Sequence, residues 1–106
     1  MFSPHLPESD LFKTVLKPLL EDFQYWFERS QSLLENHEIE FLGAERQADL
    51  LARVKHAQQE VKTAQMLLDM TDGQVGVETS VLVPWHHLVT ECWQVSIRYR
   101  LEHTTE

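Results

Sequence analysis

One uninterrupted segment constrains the fold more than any other. Residues 44–71 read AERQADLLARVKHAQQEVKTAQMLLDMT, contain neither glycine nor proline, and are bracketed by Gly43 and Gly73. Apolar side chains recur at Leu50, Val54, Ala57, Val61, Ala64 and Leu68, with spacings that alternate between four and three. On an α-helix that spacing brings all six onto one stripe and matches a heptad seam. Almost every other residue in the segment is a strong helix former. The segment therefore predicts one long helix against which two others pack.

The first partner lies between residues 9 and 35. Ser9 or Asp10 serves as its cap. Its apolar set is Phe12, Val15, Leu19, Phe23, Trp26 and Leu33, flanked by Leu16, Leu20, Phe27 and Leu34, with Lys17, Glu21, Gln24, Glu28 and Gln31 facing solvent. Pro18 removes one helical amide, yet the apolar period continues across it. This predicts a bend rather than two helices. In the turn at 36–43, Ile39, Phe41 and Leu42 are too apolar for a free loop and are expected to cover one end of the bundle.

After the central helix, Asp72 and Gly73 supply a stop. Residues 74–83 then carry Val75, Val77, Val81, Leu82 and Val83 with Gly76 among them. Locally this reads as a strand, but a lone strand has no pairing partner, so an extended crossover on the helices is expected. The last helix begins between Ser80 and Trp85 with Pro84 in its first turn, and ends near Leu101. Trp85, Leu88, Val89, Cys92, Ser96 and Tyr99 share its inward stripe; His87, Glu91, Gln94 and Arg98 face solvent. The expected architecture is all-α, a three-helix bundle made of two long antiparallel helices and a C-terminal helix after the crossover. Residues 9–102 form the domain, 1–8 a flexible arm and 103–106 a frayed tail.

Composition narrows the function classes. The 106 residues carry 17 acids against 9 Lys and Arg, a net charge of −8. Phosphate neutralisation needs clustered Lys and Arg, so nucleic acid and anionic lipid are disfavoured partners. The acidity sits at the two ends: residues 8–40 hold eight acids and three bases, whereas 44–70 hold four of each. No apolar run approaches the ~20 residues that span a bilayer. Cys92 is the single cysteine, which suits a reducing compartment. A cytoplasmic protein is expected.

Chemistry-bearing motifs are sparse. His86, His87, Glu91 and Cys92 form the one dense group of potential ligands, and His87 and Glu91 stand one helical turn apart. On the wheel, however, His87 and Glu91 face outward and Cys92 inward, so a closed metal site would need His37 or His56 from elsewhere. Glu38 and Glu40 have no partner base, and no glycine-rich phosphate loop occurs. The residues imply no catalytic site, no cofactor and no metal.

The segments LLEDFQYWFERSQSLL, QADLLARVKHAQQEV, TDGQVGVET and PWHHLVTECWQ resemble a cyanobacterial family of small helical proteins known as a domain of unknown function. The likeness spans about residues 7–101. It implies a cyanobacterial host and an intracellular setting, and brings no activity.

The residues left over after core assignment point to protein contacts. Trp93, Ile97 and Leu101 run along the last helix off its core stripe, and Ala48, Ala52, Met66 and Met70 lie on the back of the central one. Exposed aromatic and Met side chains are what partner surfaces use. The expectation is a non-enzymatic interaction, adaptor or regulatory module. Its ridge of Trp93, Ile97 and Leu101 would be covered by the crossover or by another protein, a symmetric homodimer being the simplest form. The competing expectation is a ligand- or metal-binding bundle built on the last helix.

Overall fold

The structure is a computed structural model that describes residues 8–71 and 79–103, with side chains described at 14–71 and 80–103. Three helices follow in order: α1 (Glu8–Asn36), α2 (Gly43–Met70) and α3 (Thr79–His103). The chain is an all-α three-helix bundle, and α1 and α2 form its closest pair. Polar ties give the directions. Lys17 meets Asp69 at 3.8 Å near one end, and Gln47 donates to the Leu34 carbonyl at 2.8 Å near the other, so α1 and α2 are antiparallel. Along α3, Trp85 bonds Glu60, Glu91 bonds Arg53 and Tyr99 reaches His37, so α3 runs back against α2.

The seam of α2 is the centre of the core. Leu50, Val54, Ala57, Val61 and Leu68 are all buried, and Ala64 packs against them half-buried. α1 crosses Pro18 without interruption, and Pro18 itself is exposed. The missing amide therefore falls on the solvent side, where a lost helical bond costs least.

The turn between α1 and α2 closes the bundle end as its composition predicts. Ile39 and Leu42 are buried and Phe41 packs on the core. Gln47 clamps this turn from the first turns of α2. Its amide donates to the carbonyls of Leu34 and His37 at 2.8 and 2.7 Å and its oxygen accepts from Ile39 N–H at 2.9 Å. Two carbonyls left without helical partners at the end of α1 are thus satisfied. Gly43 adopts φ +80°, and a Cβ there would meet nothing within 4 Å. Glycine is needed for the left-handed backbone rather than for space.

Several expectations change. The deepest line of α1 is Leu16, Leu20, Phe23, Phe27 and Leu34, not the neighbouring one: Val15 is 56% exposed, while Leu19, Trp26 and Leu33 are half-buried. α1 carries two adjacent apolar lines. The one facing between both partners sinks, and the other faces the edge of α3. Gln24, expected in solvent, instead donates to the Gln58 carbonyl and to Gln65 on α2.

The crossover is also shorter than expected, because Thr79, Ser80, Val81, Leu82 and Val83 are helical. Leu82 packs on the core in register with Trp85, Val89 and Cys92. Burial on a helical period there overrides the β-propensity of the valines. Pro84 lies one turn farther into the helix than its first-turn placement. Val95 joins the buried stripe of α3, which the wheel had missed. Phe12, the Asp72 and Gly73 stop, residues 74–78 of the crossover, the arm at 1–7 and the tail at 104–106 lie outside what is described, whereas Glu8 and His103 are helical.

Candidate interaction surface

Helical spacing of four places Trp93, Ile97 and Leu101 in one line along α3. They are 47%, 48% and 66% exposed. The line is not isolated, because the second apolar line of α1 comes alongside it. The Trp26 ring meets the Trp93 ring edge to face, with centroids 5.3 Å apart and planes at 85°, and Tyr25 packs on Trp26 in the same manner. Such T-shaped contacts set the positive ring edge against the negative face.

Between these lines runs a groove of about 470 Å³ walled by Trp26, Leu33, Trp93 and Ile97. Cys92 contributes to its floor and is 4% exposed. Burial pushes the Cys92 thiol above its ordinary range, opposed in part by a hydrogen bond with Ser30. A buried, protonated thiol packs as a small apolar group and is a poor nucleophile.

Two arginines line the groove, Arg29 from α1 and Arg100 from α3. Arg29 donates to the Tyr25 hydroxyl at 3.1 Å and sits over the Tyr25 ring at 5.6 Å. Neither arginine takes part in an ion pair among the described residues, whereas Lys17, Arg53, Lys55 and Arg98 each face a carboxylate. Sequence reading missed both arginines, and a signal existed. The positions three and four residues from Arg29 are Tyr25, Trp26, Ser32 and Leu33, and those around Arg100 are Ser96, Ile97, His103 and Thr104. None is acidic, so neither arginine has a carboxylate at the helical spacing that would face it.

The five candidate partner-surface residues fall on separate faces. Trp93 and Ile97 line the groove between α1 and α3, with Leu101 one turn beyond Ile97. Met66, 53% exposed, lines a different groove beside Lys17, Glu21 and Lys62 at the junction of α1 and α2. Met70 is 77% exposed near the end of α2 and borders neither groove. The helical valines of α3 do not cover the ridge either: ten residues separate Val83 from Trp93, about 15 Å along a helix.

Of the potential metal ligands, His56, His87 and Glu91 line a third groove, between α2 and α3, whereas Cys92 belongs to the first. The fold does bring His56 and Glu60 of α2 to the same groove as His87 and Glu91 of α3. Both carboxylates are already engaged. Arg53 donates two hydrogen bonds to Glu91, at 3.0 and 2.8 Å, which holds the Glu91 carboxyl below the usual range and the guanidinium above its own. Glu60 accepts from the Trp85 indole N–H at 3.0 Å and lies 3.5 Å from His56 Nε2. Glu91, one turn from His87 in sequence, is thus held across the helices by Arg53. Among the described residues no three His, Cys, Asp or Glu side chains converge as a metal site.

Comparison with known families adds one assignment. Residues 6–101 match the family described as Protein of unknown function (DUF2605). The chain belongs to DUF2605. No curated protein and no solved structure matches it. Membership brings no chemistry, so the surface of this DUF2605 chain is read from its geometry alone. Among its described residues no helix is long and apolar enough to cross a membrane.

The end of the DUF2605 bundle next to the groove is aromatic. Tyr99 bonds His37 Nδ1 at 3.1 Å and stacks on His103 with centroids 4.0 Å apart. Arg98 lies over the Phe41 ring at 4.2 Å and pairs with Glu102. These contacts tie α3 to the turn between α1 and α2 and fix the wall that carries Ile97.

Proposed function

We propose that this chain is a non-enzymatic interaction module that presents the α1/α3 groove and its ridge to a protein partner in the cytoplasm of a cyanobacterial host. The observation that carries this reading is the unbroken line of Trp93, Ile97 and Leu101, each about half or more exposed, beside a groove already walled by Trp26. Contiguous exposed aromatic and aliphatic groups on an acidic surface are an aggregation liability unless something covers them. Trp and Arg together are also the residues most often found at the energetic centre of an interface. The Cys92 thiol in the groove is buried, and Glu60 and Glu91 in the α2/α3 groove are already engaged.

The test is affinity capture of the full chain from its native host, with wild type compared against Ile97→Glu and Leu101→Glu. A partner recovered by wild type and lost from both variants, with helicity and thermal unfolding unchanged, supports the proposal. A monomeric wild type that recovers no partner refutes it. Variants that unfold the monomer refute it too, because the ridge would then belong to the core.

A further inference from the structure

We propose that the α1/α3 groove receives an amphipathic helix of another protein, with carboxylates flanking the helix's apolar stripe and held by Arg29 and Arg100. This rests on the groove being a docking face, and it specifies the occupant. An amphipathic helix is the element that fills such a groove, its anchors at helical spacing entering between Trp26, Leu33, Trp93 and Ile97. The charge follows from the rims. Arg29 and Arg100 both line the groove, neither is paired with a carboxylate among the described residues, and no residue one turn away on either helix is acidic. Arg29 spends one donor on Tyr25, which leaves most of its fork free. A carboxylate matches that fork in geometry as well as sign.

Two objections are answered by magnitude and symmetry. The chain as a whole carries −8, which repels an acidic partner. At physiological ionic strength the Debye length is about 8 Å, so charges across the bundle are screened while the two rim arginines act at contact distance. A second copy is the other conceivable occupant. In a two-fold arrangement of groove on groove, the arginines of one copy would approach those of the other, which the cationic rims disfavour.

The experiment uses the full chain and three synthetic helical peptides. They share one apolar stripe of Leu at helical spacing and differ in their flanks, which are Glu, Lys or Gln. Binding is read by fluorescence anisotropy at near-physiological salt. The Glu-flanked peptide is expected to bind about tenfold tighter than the Lys-flanked one, the scale of two modest ion pairs. Arg29→Ala combined with Arg100→Ala should collapse that preference to within about twofold while leaving the Gln-flanked peptide unchanged. Ile97→Glu should weaken the Gln-flanked peptide, which has no charge of its own. Equal or tighter binding of the Lys-flanked peptide overturns the acidic occupant, as does a Glu preference that survives loss of both arginines. In either case sensitivity to Ile97→Glu still marks the groove as a docking face. No peptide binding, with a wild-type dimer that Ile97→Glu dissociates, overturns this inference in favour of a second copy. No peptide binding by a monomer overturns the inference and the docking face together.

Discussion

The rotated face of α1 is open to a direct mutational test. Leu20 is 0% exposed and Val15 is 56% exposed, yet the apolar pattern alone ranks Val15 as central and Leu20 as a flank. Leu20→Ala removes about three methylene equivalents at roughly 0.8 kcal/mol each, or about 2.4 kcal/mol of transfer free energy. A cavity term near 24 cal/mol per Å³ adds about 1 kcal/mol more if the site relaxes incompletely. The expected loss is about 3–4 kcal/mol, a large share of the ~5–15 kcal/mol typical of a domain. Val15→Ala removes less, from a side chain more than half in water. The ~0.5 kcal/mol gained in helix propensity offsets most of that loss, leaving a change within about 0.5 kcal/mol of zero. Urea unfolding followed by far-UV circular dichroism resolves the two. With an m-value of about 1.5 kcal/mol/M, Leu20→Ala should lower the midpoint by about 2 M and Val15→Ala by less than about 0.4 M. Equal shifts, or a larger one for Val15→Ala, would show that the face is wrongly assigned.

Three further outcomes are expected. Arg53 lowers the Glu91 carboxyl pKa, so the stability this bond supplies is present above the unfolded carboxyl value and is lost as pH falls through the folded one. With side chains 46% and 44% exposed, the bond contributes at most about 1 kcal/mol, and the stability gap between wild type and Glu91→Gln should shrink from pH 7 to about pH 3; a gap that stays constant or widens in acid rejects this pairing. Cys92 should react with an aromatic disulfide reagent at least ~100-fold more slowly in the native protein than in urea, and rapid stoichiometric labelling of native protein would contradict its burial. Pro18→Ala should retain the fold and raise stability by about 1–3 kcal/mol, since an exposed mid-helix proline is exchanged for the best helix former; a net loss in urea unfolding would mean the proline is structurally required.

The long helices were legible because their apolar periods are long and regular. Six positions of α2 on one stripe leave a single face to bury, and five of them are buried outright. α1 was harder. Val15, Leu19, Trp26 and Leu33 form one line and Leu16, Leu20, Phe27 and Leu34 the next, so the period identifies a helix without choosing between adjacent faces. That choice belongs to tertiary packing: the line that meets both partners at once sinks deepest. Residues 79–83 misread for the opposite reason. Five residues are too few for a period to outweigh the local preference of two valines, and the register of Leu82 with Trp85 and Val89 decides it.

The surface was legible only one helix at a time. Wheel geometry places Trp93, Ile97 and Leu101 off the core because that follows from α3 alone. It cannot show that Trp26 comes alongside Trp93, that Met66 opens onto another groove, or that Glu91 pairs with Arg53, since each depends on which helices are neighbours. Arg29 and Arg100 stand 71 positions apart in sequence and have no pattern in common. What they share is negative: neither has an acid three or four positions away along its helix, the spacing that faces it. In a chain with nearly twice as many acids as Lys and Arg, an arginine without a carboxylate is easily overlooked in sequence. Once α1 and α3 pack side by side, the two line one groove whose walls are apolar and aromatic. Its rim charge is then opposite in sign to that of the molecule, and a partner is selected by the local charge it touches rather than by the net charge it approaches.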